Sequence, residues 1–194
     1  MRSTRAVVAT IALLAVVPIA LAVAIVTGGG GEVIIHFGIG AACLLMAVAV
    51  FDFPLPRAVN WIGSLAIGAF GAIFVLQGVS DAVGLEPLHT LAFQVLGQQI
   101  EGFLPDVFFV WCVALVLLAS EGRTRIFGAV AMTVTLVIEA AVYIGPVVGL
   151  AVPNPKLHLL LPILWLLLES LKSRTGDSAA AVVRPPKLAE TPAS

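Results

Sequence analysis

Long apolar runs alternate with short polar punctuation along this chain. Six runs stand out, at residues 6–27, 33–53, 59–79, 106–120, 126–144 and 157–171. None alternates at the period of two that a β-barrel strand needs. About 20 apolar residues at 1.5 Å each cross the hydrocarbon core, and a helix satisfies its own backbone there. The pattern predicts an all-α integral membrane protein, a six-transmembrane-helix bundle over residues 1–174. The Pro-, Ala- and Ser-rich stretch 175–194 carries no helical stripe and reads as a disordered cytoplasmic tail.

One polar interruption is longer than the rest. The stretch "PLHTLAFQVLGQQIEGFLPD", Pro87–Asp106, lies between the third and fourth runs. At 100° per residue, Thr90, Gln94, Gly97, Gln98 and Glu101 form a polar stripe, and Leu88, Leu91, Ala92, Val95, Leu96, Ile100 and Phe103 cover the other face. This predicts an additional interfacial amphipathic helix over 88–104 on the outer surface, with a re-entrant segment as the alternative. His89 and Gln99 fall on the apolar face. A polar group in hydrocarbon costs several kcal/mol without a partner, so both are expected to turn towards the bundle.

Composition agrees with the pattern. The chain is 60% hydrophobic and 11% charged, against about 25% charged in soluble domains, so its solvent is lipid. With both termini cytoplasmic, every Lys and Arg except Lys156 falls inside, and Glu32, Asp81, Glu86 and Glu101 fall in outer loops. That is the positive-inside arrangement. "MRSTR" ahead of an apolar run resembles a signal peptide, but the length of the run favours a retained helix. Richness in Ala, Val and Gly points to a bacterial plasma (inner) membrane. The net charge of −1 provides no field for nucleic acid. The partners implied are the bilayer and a membrane protein or a second copy of the chain.

Candidate chemistry gathers in the outer half. Glu139 lies roughly 8 Å below the end of the fifth run at helical rise, with Thr135 and Tyr143 four residues to either side. An ionisable group inside a span is by default a functional hypothesis. His36 and His158 sit near the outer ends of the second and sixth runs. Glu139, His89, Tyr143 and Gln99 are the candidate ligand- or proton-binding residues. His36, His158 and Glu139 form a candidate metal set, because imidazole and carboxylate suit zinc or iron, and two histidines could hold haem. No metal-ligand pair at helical spacing supports the set. The inner leaflet has less to offer, with Asn60, Ser64, Asp52 and Glu169 near its boundary.

Other features read as packing. Cys43 and Cys112 lie in apolar runs and behave as small hydrophobes. Ser64, Gly68 and Ala72 form a small-residue face for close helix contact. Trp61 suits an interfacial anchor, while Trp111 and Trp165 fall deeper. "GGGGE" lacks the Lys-Ser/Thr of a phosphate loop, and no nucleophile elbow or catalytic triad spacing supports an enzyme. The leading functional expectation is an outward-facing His/carboxylate site that binds a proton, metal, haem or small ligand for transport or sensing. The alternative is a non-catalytic accessory or assembly subunit of a membrane complex.

Overall fold

The computed structural model of the protein describes residues 2–27, 31–101, 103–149 and 160–182. The described residues are helical, with no strand among them. The elements are α1 (Arg2–Thr27), α2 (Glu32–Ala49), α3 (Arg57–Val83), the short α4 (Glu86–His89), a π-helix (Thr90–Glu101), α5 (Leu104–Leu118), α6 (Gly122–Ile144) and α7 (Leu160–Val182). Pro54 and Pro56 punctuate the turn after α2, and Pro56 is the N-cap of α3.

The segments Thr4–Thr27, Glu32–Asp52, Arg57–Val83 and Gly122–Val142 are long and apolar enough to cross a membrane, and Leu104–Leu118 is a shorter apolar helix. The surface reverses the pattern of a soluble protein. Ile11, Ile62, Leu65, Val110, Leu117, Val130, Leu136 and Val137 are exposed, while Thr10, Asn60, Gln77, Ser120, Thr135 and Glu169 are buried. Contiguous exposed apolar surface on this scale is costly in water and favourable in lipid, so the protein is membrane-embedded.

Long helices adjacent in sequence are neighbours in space. α1 packs on α2, α2 on α3, α3 on α5, α5 on α6 and α6 on α7, and α7 returns to α1. The ends of this closed arrangement are here called basal, where α1 begins, and distal, where α2 begins.

The α2–α3 pair is the most intimate. A Cβ on Gly71 would stand 2.9 Å from the Gly40 oxygen and 2.9 Å from Cys43 Cβ. One on Gly40 would stand 2.9 Å from the Gly71 oxygen and 3.0 Å from the Val75 nitrogen. Each glycine therefore admits the backbone of the other. Ser64 Oγ donates to the Ala47 oxygen at 2.8 Å across the same seam. Ser64 and Gly68 face α2 as their spacing implied, but Ala72 is exposed, and the seam continues through Gly71 and Gly78 instead.

Two tryptophans lock the remaining helices by one device. Trp111 of α5 lies over Gly63, and its Nε1 donates to Asn60 Oδ1 at 3.1 Å. Trp165 of α7 lies over Gly128, and its Nε1 donates to the Thr124 oxygen at 2.8 Å. Both rings are buried, whereas Trp61 is 54% exposed, as an interfacial anchor would be. Cys43 and Cys112 are buried free thiols.

Two boundaries move. α7 runs to Val182, into the stretch read as tail from 175, because Ser178–Val182 is rich in the strong helix former alanine. The segment 88–104 is divided between α4, a π-helix and the start of α5.

Gly71→Ala is expected to destabilise the fold by about 1–3 kcal/mol through overpacking against backbone. Gly68→Ala, whose Cβ would meet only Ala47 Cβ at 3.3 Å, should cost distinctly less. Denaturant unfolding of both variants in detergent measures the difference.

Candidate functional site

At the distal end, α2 starts beside the last turns of α3. Gly78 lets them approach, since a Cβ there would lie 3.3 Å from His36 Cβ and 3.1 Å from the Phe37 ring. This brings His36 Nδ1 within 2.7 Å of Asp81 Oδ2. The pair is largely enclosed, with the side chains 16% and 14% exposed. With Asp81 ionised, Nδ1 carries the proton and donates. That fixes the tautomer of a neutral ring, and protonation converts the contact into an ion pair.

Aromatic rings surround the imidazole. Phe74 of α3 and Phe93 of the π-helix meet it edge-on at centroid distances of 5.7 and 5.6 Å. Phe74 continues to Phe70 at 4.8 Å. On the other side Phe93 stacks on His89 at 4.7 Å. The two histidines thus share one phenylalanine between them. Gln77 Nε2 donates to the Ala92 oxygen at 3.5 Å, a long bond that ties α3 to the π-helix, where Ala92 is fully buried.

The π-helix sets which residues face inward. Its i→i+5 bonding advances fewer degrees per residue than an α-helix, so a wheel drawn at 100° assigns the faces wrongly. Among its described side chains, Thr90, Ala92, Phe93, Leu96 and Gly97 are buried or half-buried, while Leu91, Gln94, Val95 and Ile100 are exposed. His89, expected to turn inward, is exposed and reaches the core only through its stack on Phe93. The Gln99 side chain lies outside the described residues.

The other candidates lie elsewhere. Glu139 is half-buried on α6, which packs against α5 and α7, and Thr135 one turn earlier is buried. His158 and the Tyr143 side chain lie outside the described residues. Among the described residues no three His, Cys, Asp or Glu side chains come together as a metal-ligand set. The contact that unites the site is His36–Asp81, and Asp81 was counted as a loop charge because the third span was ended at Val79. α3 continues to Val83 and stops at Gly84, which has φ 69°. A glycine in the left-handed C-terminal position marks a helix end. That signal keeps Asp81 on the helix, one turn beyond Gln77.

The basal end is more polar than its composition suggests. Arg5 Nη2 and Nε donate to the two oxygens of Asp52 at 2.7 and 3.3 Å. Asn60 Nδ2 donates to the Phe53 oxygen at 3.1 Å. Ser120 Oγ donates to Glu169 Oε2 at 2.9 Å, and Lys172 Nζ to the Glu121 oxygen at 3.1 Å. Most of these contacts join turns to helices distant in sequence, which a one-dimensional reading does not pair.

Comparison of the chain with protein-family models, with curated proteins and with solved structures yields no match.

Phe93→Ala is expected to open the wall over His36 while leaving its bond to Asp81. Carbethoxylation of His36, followed by peptide mass spectrometry, should accelerate several-fold. Unchanged reactivity would mean that Phe93 does not shield the ring.

Proposed function

We propose that the protein is a six-span plasma-membrane protein with both termini cytoplasmic, whose outward distal end binds protons at His36–Asp81 and senses external pH. The carrying observation is the 2.7 Å His36–Asp81 contact inside an aromatic enclosure. Histidine is the side chain whose ordinary charge change falls between pH 5 and 8. The ring of His36 lies beneath a segment that rests on it, because Phe93 of the π-helix covers it. In this reading the polar end of the segment 86–101 lies at the outer interface and acts as the responding element.

The charged neighbours are few. Asp81 faces the ring from α3, and His89 stands behind Phe93. Protonated His36 is held by the Asp81 carboxylate, and loss of that proton removes the charge–charge part of the contact. The latch is therefore tighter with the ring protonated and looser with it neutral. Metal binding has less support, since among the described residues no three His, Cys, Asp or Glu side chains come together.

The accessory reading rests on a different observation. An apolar furrow of about 350 Å³ runs between α1 and α2, lined by small residues that include Ala15, Ala20, Gly38 and Ala41. Small-residue surfaces of this kind admit a further helix.

Hydrogen exchange of the wild-type protein in nanodiscs distinguishes the two. The proton reading expects amides of residues 90–101 to lose protection as pH rises from about 5.5 to about 8, after correction for intrinsic exchange, and His36→Gln to abolish that dependence. A flat profile in the wild-type protein would sink it.

A further inference from the structure

The basal end holds a cavity of about 270 Å³ where α1, the α2–α3 turn and α7 meet. Asp52, Phe53, Pro54, Glu169, Ser170 and Lys172 line it. Its two carboxylates are not equivalent. Asp52, 2% exposed, is neutralised by the Arg5 fork. Glu169, 8% exposed, accepts one hydrogen bond from the neutral Ser120 hydroxyl. Among the described residues no cationic side chain comes within ion-pair distance of it. A buried carboxylate without counter-charge costs several kcal/mol, and either a proton or a cation from outside removes that cost.

The surroundings favour a cation of one kind. The cavity lies at the level of Arg5, Lys172 and the helix turns, the depth of lipid headgroups in a membrane-embedded protein. Lys172, whose Nζ donates to the Glu121 oxygen at 3.1 Å, is exposed at the end of the same wall and brings positive charge to it, which favours a phosphate nearby. Phe53 and Pro54 form an apolar side suited to a short carbon linker.

We infer that this cavity binds a primary ammonium joined to a phosphate, the headgroup chemistry of phosphatidylethanolamine, with the ammonium on Glu169 and the phosphate on Lys172. Three N–H donors of a primary ammonium can satisfy the carboxylate, whereas a trimethylammonium offers none. The inference is independent of the distal proton site.

The test uses the full chain in mild detergent and native mass spectrometry, with phosphatidylethanolamine and phosphatidylcholine of identical acyl chains. The wild-type protein should retain the primary amine lipid about tenfold over the trimethylated one, the ratio that roughly 1.4 kcal/mol carries. Glu169→Gln should abolish the preference. Lys172→Gln, which also gives up the bond to the Glu121 oxygen and is therefore checked for its fold by circular dichroism, should lower retention of both lipids and keep the ratio. Free phosphoethanolamine separates two sources of the same chemistry: competition shows that the headgroup suffices, and absence of competition alongside a preserved lipid preference assigns the site to the membrane-held form. Equal retention of the two lipids by the wild-type protein, which needs no variant, would overturn the proposal and leave Glu169 a buried packing residue. So would an unchanged preference in folded Glu169→Gln.

Discussion

The close approach of α2 and α3 is the constraint on which the rest hangs. With no hydrophobic drive between helices in lipid, association rests on van der Waals packing and interhelical hydrogen bonds. Gly40 and Gly71 put the backbones in direct contact, and Ser64 adds a bond to the Ala47 oxygen. The same approach carries Gly78 against His36 and so brings Asp81 to the imidazole. It also fixes the turn from which Asp52 meets Arg5, and the end of α3 on which the π-helix rests. A packing requirement in the middle of the bundle thereby determines the geometry at both ends.

Much of the architecture was legible because hydrophobic run length and proline punctuation report directly on membrane helices. The α2 and α3 runs, the deep positions of Trp111 and Trp165 and the inert cysteines all follow from composition and spacing. Pairing is not visible in that way. His36 was legible as a polar residue near the outer end of the second run, but its partner was hidden because a charge near a run's end is read as loop. Gly84 carries the corrective signal, a left-handed C-terminal position whose N–H donates to the Ser80 oxygen at 2.8 Å and so closes the last turn of α3 around Asp81. The π-helix was illegible for a different reason. A 100° wheel does not describe residues 90–101, so the faces it assigns them do not hold.

Polar groups occupy both ends, by contrasting means. The distal pair is wrapped by phenylalanine rings, so its hydrogen bond sits among groups that offer no competing acceptor. The basal groups form bonds that join turns to helices, from Arg5 to Asp52 and from Ser120 to Glu169. The tryptophan indoles spend their N–H groups on Asn60 and Thr124. Thr10 on α1 and Glu139 and Thr135 on α6 are polar residues set within the apolar spans.

The return of α7 to α1 has a consequence for biogenesis. α1 buries Ala6, Ala9 and Leu13 on its inward stripe, and its lateral neighbours are α2 and α7. During vectorial synthesis α2 emerges soon after α1, but α7 emerges after every other helix of the bundle. One flank of α1 therefore faces lipid, or a chaperone, through most of translation. Its small residues suit that interval, since a stripe of alanines solvated by acyl chains neither traps a wrong helix by hydrogen bonding nor has to be dehydrated when the last helix arrives. Closure of the circle is thus the final step of assembly, and its contacts are those of greatest sequence separation, the slowest to form.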